Sequence, residues 1–119
     1  MSIWQELAYF SAEEFGEHAD EMNEHLLYLL DATRELADMP IYITSGVRPS
    51  DVTSEHFTGE GVDVSDNLDG DPISSVWRYH VLHGAFAAGF IRIGVYDRHL
   101  HLGVSRLKAP DVLWIGKSS

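Results

Sequence analysis

Three of the chain's seven histidines stand where their spacing could do chemistry. His56 lies in Ser54-Glu55-His56-Phe57-Thr58-Gly59-Glu60-Gly61-Val62-Asp63, and His99 and His101 lie in Asp97-Arg98-His99-Leu100-His101-Leu102-Gly103-Val104. Residues i and i+2 of a strand point to one face, so His99 and His101 project together from one side of a sheet. His56 and Asp63 bracket a glycine-rich turn leading into a strand, which folds their side chains toward one point. Two imidazoles and one carboxylate, with water in the fourth position, form the ligand set of a catalytic zinc site. With His99 as a fourth protein ligand the same residues would close a structural zinc site. A histidine cluster without metal is the third reading. The other four histidines receive no chemistry. His18 and His25 sit in a Glu-rich region, while His80 and His83 fall on a helix, with His80 on its apolar face as a hydrogen-bonded core residue.

The composition removes several other chemistries. The chain has no cysteine, so a disulfide scaffold, a thiolate nucleophile and a thiolate zinc site are excluded. Lys plus Arg is 8 and Asp plus Glu is 19, a formal net charge of −11. Such a surface repels phosphate backbones and anionic membranes, so neither nucleic acid nor membrane is expected as a partner. No apolar run approaches the ~20 residues that span a bilayer. Met1 to Phe10 lacks a basic region followed by an apolar stretch, so no signal peptide is expected and the protein is cytoplasmic as made. A chain of 119 residues, 45% hydrophobic, suits one globular domain over 1–119, taken as a monomer.

The elements that must position the histidines follow from periodicity and punctuation. Met22, Leu26, Leu29, Leu30, Thr33, Leu36 and Ala37 recur at helical spacing, which predicts a helix over about 20–38 with Asp20 as N-cap and Pro40 beyond its end. Ile41 to Thr44 and Gly61 to Ser65 read as short strands. Gly46 to Asp71 is loop-rich, though Phe57, Val62 and Val64 within it are placed to bury. A second helix is expected to start at Asp71-Pro72 and close at Gly89. Phe90 to Val95 and His99 to Val104 form a tight β-hairpin, with a last strand at Val112 to Ile115. The fold class is therefore α+β, a small, mainly antiparallel sheet with helices packed against it.

With these motifs in order, the chain resembles the LAS zinc peptidases. These are the D-Ala-D-Ala carboxypeptidases and dipeptidases, the phage L-alanyl-D-glutamate endolysins, and the hedgehog signalling domain that shares their fold. The family pattern is Ser-x-His-x-x-Gly-x-Ala-x-Asp, followed by a strand carrying His-x-His or Val-His-x-Asp. Phe10 to Phe15 with Leu26 to Leu36 looks like the opening helix, and Ile43-Thr44-Ser45-Gly46-Val47-Arg48 like the Thr-Ser-Gly-Tyr-Arg strand end. Ser54 to Asp63 matches the first zinc motif, with Gly61 where alanine is usual. Gly89-Phe90 with Ile93-Gly94-Val95-Tyr96 resembles the approach to the last motif, which His99-Leu100-His101 completes.

The resemblance implies one zinc per chain on His56, Asp63 and His101, with Arg48 stabilising the oxyanion or binding a substrate carboxylate. It implies a zinc-dependent peptidase acting on peptidoglycan stem-peptide bonds involving D-amino acids; a single domain without a signal peptide then fits a phage-type lysis enzyme, released to the cell wall during lysis, or a cytoplasmic dipeptidase. The alternative is a zinc-binding, non-catalytic pseudoenzyme or phage structural module of the same fold. The family's general base lies three residues before the last ligand, where this chain has Arg98, so the expected base moves to Asp97, which is also an ordinary turn residue. Where the family often has Asp two residues after the last histidine, this chain has Gly103. Ser54 is expected to hold a ligand or its loop, or simply to cap the turn. His99 is expected beside the metal without being an obligatory ligand.

Overall fold

The computed structural model describes residues 2–117; residues 1, 118 and 119 of the domain expected over 1–119 lie outside the described residues. Two 3-10 segments, Ile3–Gln5 and Ala12–Glu21, lead into helix α1 (Glu24–Ala37). Strands β1 (Tyr42–Ser45) and β2 (Gly61–Ser65), helix α2 (Ser75–Ala88), and strands β3 (Arg92–Val95), β4 (Leu100–Gly103) and β5 (Val112–Ile115) follow. The fold class is α+β, as the patterning implied.

The strands form one sheet in the order β1-β2-β4-β3-β5. Three pairings are antiparallel, and β5 joins β3 in parallel, so the sheet is mixed rather than antiparallel throughout. The parallel pair arises because residues 104–111 carry the chain past β3 to its far edge. Nothing in local periodicity announces that step. The two helices cover one face. Leu26, Leu27 and Leu30 of α1 and Val81 and Ala85 of α2 meet Val62, Val64, Ile93, Leu100 and Leu102 of the sheet, all at 1% exposure or less. Each Leu, Ile or Val among them contributes about 1.5–3 kcal/mol through removal from water. Strand alternation then sends the odd-numbered residues of β2 and β4 to the opposite face.

Both helices begin later than the sequence suggested, for local reasons. The cap of α1 is Asn23, whose side chain accepts from Leu26 N, while Met22 stays extended and buried. The cap of α2 is Ser74, whose hydroxyl accepts from Val76 N and Trp77 N. Upstream of it, Ile73 N donates to the Asp97 carbonyl and Ser74 N to Asp66 Oδ2, which hold the Asp71-Pro72-Ile73 stretch out of the helix. Gly89 closes α2 at φ +112°, as expected. His80 is exposed rather than in the core, and Phe57 is 43% exposed on a turn whose N–H bonds back to the Ser54 carbonyl. No helix among the described residues is long and apolar enough to cross a membrane.

Candidate metal centre

The register of the sheet builds the centre. Asp63 of β2 stands directly opposite His101 of β4, and Gly61 opposite Gly103. Cross-strand neighbours on one face approach to ~5 Å between Cβ atoms, so this pairing alone brings the carboxylate to the imidazole. Asp63 Oδ1 lies 3.1 Å from His101 Nδ1.

His56 comes from the loop over residues 46–60, which is a chain of tight turns. Asp51 N bonds the Arg48 carbonyl, Ser54 N the Asp51 carbonyl, and Arg48 N the His56 carbonyl. The Ser54 hydroxyl accepts from the backbone N of His56 at 3.1 Å, so Ser54 holds the turn at the ligand residue itself. His56 is 1% exposed, and its Nδ1 lies 2.7 Å from the Gly46 carbonyl. A carbonyl only accepts, so Nδ1 carries a proton; Nε2 lies 3.1 Å from Asp63 Oδ1, donating to it when the ring is protonated and presenting its lone pair when the ring is neutral.

The same bookkeeping at His101 gives the chemistry of the group. Its Nε2 lies 2.8 Å from Glu55 Oε1 and its Nδ1 faces Asp63. With both imidazoles neutral and their outer nitrogens protonated, His56 Nε2, Asp63 Oδ1 and His101 Nδ1 would present three buried lone pairs to one point, where a metal ion can join them; in the metal-free protein, protons on the imidazoles make these contacts hydrogen bonds to Asp63. The ligand atoms of these three residues lie within 4.8 Å of one another. Two imidazoles backed by a carbonyl and a carboxylate, with one carboxylate between them, suit a divalent ion, and the set is compatible with zinc. The group can hold a metal ion.

The electrostatics follow from burial and partners. Burial alone raises a carboxyl's pKa, but hydrogen bonds from His101 and His56 outweigh it and hold Asp63 well below the usual carboxylate range. Glu55 is likewise lowered, burial being outweighed by His101, the Ser105 N–H and Arg92. Burial pushes His101 down, yet its bonds to Asp63 and Glu55 win and leave it raised. His99 is lowered, burial exceeding the pull of Asp63.

The centre opens on a cavity of about 350 Å³ lined by basic and aromatic groups, among them Arg48, Arg92, Tyr96, His99, Lys108 and Trp114. Arg48 donates from Nη2 to Asp63 Oδ2 at 3.2 Å, and its side chain stays 43% exposed beside the cavity. His99 stacks on Tyr96, with ring centroids 4.4 Å apart and 11° between planes, and its Nε2 lies 3.8 Å from Asp63 Oδ2. Trp114 donates to the Tyr96 hydroxyl and tilts against His101 at 5.5 Å. The structure thus brings His56, Asp63, His101, His99, Arg48 and Ser54 together. Asp97 is placed differently. It sits exposed at the hairpin tip, its carboxylate 3.8 Å from Arg98 Nε, and is not among the residues lining the cavity.

Sequence reasoning passed over Glu55, which is 3% exposed behind His101. Arg92 Nε lies 2.9 Å from Glu55 Oε1, out of line for a hydrogen bond, so that contact is an ion pair. Two signals could have found the residue: its place beside His56, and the glycines at 61 and 103 that make room for it. Arg92 and Trp114 were reachable from strand phase, since Arg92 alternates with the core residue Ile93, and Trp114 pairs with Gly94. Comparisons with family models, with curated proteins and with solved structures gave no match to this chain.

Proposed function

We propose that this chain is a zinc-dependent peptidase hydrolysing peptidoglycan stem-peptide bonds that involve D-amino acids, of the D-Ala-D-Ala carboxypeptidase or endolysin type. The observation that carries the reading is the meeting of His56, Asp63 and His101 at an open cavity, with Arg48 bonded to Asp63 beside them. These are the residues, in the chain order, to which the LAS resemblance assigns zinc and substrate. One zinc per chain would be held by His56, Asp63 and His101. When bound, zinc would supply Lewis-acid chemistry at this point, polarising an amide carbonyl and making water more acidic.

The chain's own residues do the rest. Gly46 and Glu55 fix the two imidazoles from behind. Arg48 gives Nη2 to Asp63 Oδ2 and holds Nη1 3.9 Å from Asp51 Oδ2, and its half-exposed guanidinium borders the cavity, where it can meet an anion: a substrate carboxylate, or the oxygen on which charge develops. Tyr96 and Trp114 wall the cavity with flat apolar surface for the peptide. A proton acceptor must reach the reacting water. His99 stands in the cavity with its ring fixed by Tyr96, whereas Asp97 lies at the tip, and we assign proton transfer to His99 on that placement. The site of action is the cell wall, reached by release at lysis.

One observation favours a second reading, a zinc-binding protein of the same fold without turnover. Of the residues lining the cavity, the two carboxylates are Asp63 and Glu55, and both are engaged. Incubating zinc-loaded protein with purified muropeptides and weighing the products by mass spectrometry separates the two. Loss of a terminal D-alanine, or separation of the stem into two peptides, is the expected result. Intact muropeptides with zinc bound would establish the second reading instead.

A further inference from the structure

Two departures from the LAS pattern, Gly61 for alanine and Gly103 for aspartate, meet at one side chain. A Cβ built on Gly103 would sit 2.3 Å from Glu55 Oε2 and 2.5 Å from Oε1, on top of the carboxylate. A Cβ on Gly61 would sit 2.8 Å from the Glu55 Cβ and 2.7 Å from His101 Cε1. The two glycines stand opposite each other in the β2–β4 register, and Glu55 fills the space that both leave. It arrives there with every oxygen engaged. Oε1 faces His101 Nε2 at 2.8 Å and Arg92 Nε at 2.9 Å, and Oε2 accepts the Ser105 backbone N–H at 2.9 Å.

We propose that Glu55 is the positioning residue of the centre, a carboxylate delivered from the loop to the place where an aspartate at position 103 of β4 would put one. By accepting from Nε2, it fixes the His101 ring and tautomer so that Nδ1, and not Nε2, faces His56 and Asp63. The imidazole has two nitrogens, and whichever one donates to a fixed acceptor leaves the other as the ligand. Arg92 and the Ser105 N–H hold that acceptor still. They also leave it no capacity for proton transfer, so its role is orientation. The inference rests on the metal reading above and adds the device that orients its last ligand.

Moving the carboxylate tests this. Glu55→Gln keeps the shape but sets an amide N–H₂ against one of the donors that the carboxylate accepts, and it should weaken zinc binding by about 10–100-fold. Gly103→Asp in the otherwise unchanged chain should be damaging, because its Cβ falls on the Glu55 carboxylate. In an Glu55→Ala background the same Gly103→Asp change should restore zinc affinity, measured by competition with a chromophoric chelator, and should restore the cobalt absorption spectrum of the unmutated protein. In the metal-free protein at alkaline pH, the ¹⁵N spectrum of His101 should show the proton on Nε2, and Glu55→Ala should release that preference. Gly103→Asp being equally harmful with and without Glu55 would overturn the proposal, as would a folded Glu55→Gln protein with unchanged zinc affinity. Failure of the unmutated chain to bind zinc would instead remove the metal reading, leaving the ¹⁵N measurement as the decisive test of what Glu55 does to His101.

Discussion

At the scale of single residues, the centre is a set of donors whose partners decide which atom faces the ion. Arg48 illustrates the consequence. It bonds the ligand carboxylate and also borders the cavity, so Arg48→Ala should lower kcat/KM by roughly 10²-fold or more, the loss typical of an oxyanion donor. It should also weaken zinc binding, since an outer partner of a ligand is typically worth 10-fold or more in affinity. Steady-state kinetics and a chelator competition read the two effects separately. The base assignment is tested in the same assay. His99→Ala should cost about 10²–10⁴-fold in kcat with the fold intact, while Asp97→Asn should leave hydrolysis within a few-fold of the unmutated rate. The reverse ranking would return the proton to Asp97. His56, Asp63 and His101 were legible in the sequence because strand phase and a short glycine turn are local properties. Glu55 was not, because its role depends on a contact with Ser105 and Arg92 that spans the chain.

At the scale of elements, the centre depends on two glycine-lined strands in register and on helices that brace the other face. The sequence revealed β2, the hairpin and β5 through alternation and turn residues. It misplaced both helix starts, because a cap is chosen by a single side-chain bond that periodicity cannot rank: Asn23 over Asp20, and Ser74 over Asp71. The parallel joining of β5 was invisible for a similar reason, since strand order is set by tertiary packing. Helix packing gives its own prediction. Gly84 of α2 lies so close to α1 that a Cβ would stand 2.8 Å from the Thr33 carbonyl oxygen and 3.1 Å from Ala37 N. Gly84→Ala gains helix propensity but forces the helices apart, and overpacking of this kind costs about 1–3 kcal/mol. Urea denaturation should show that loss. A variant as stable as the unmutated protein would mean that the helix pair gives way cheaply.

At the scale of the whole molecule, three buried titrating groups make the metal-free fold sensitive to pH from both sides. Asp63 and Glu55 are lowered in the fold, so their contribution is complete above their ordinary values of 3.8 and 4.5 and is lost as pH falls through the native ones. His101 is raised, so its contribution is complete below the ordinary 6.5 and is lost as pH rises through the native value. The metal-free protein should therefore be most stable between about pH 5 and 6.5, with denaturation midpoints falling on either side. A midpoint still rising from pH 6 to 8 would contradict the partner assignment at His101. Zinc reverses the alkaline limb, because ligation requires the neutral imidazole. A ligand at 100 times its Kd adds about 2.7 kcal/mol of stability, which raises Tm by several degrees in a domain of this size.

The most direct test of the account is the zinc content of the purified, metal-replete chain after gel filtration, read by elemental analysis beside His56→Ala and His101→Ala. The account predicts one zinc per chain in the unmutated protein and a loss of stoichiometric zinc in each variant, with the fold retained by circular dichroism. An unmutated protein without zinc, or a variant that keeps the full equivalent, would contradict it.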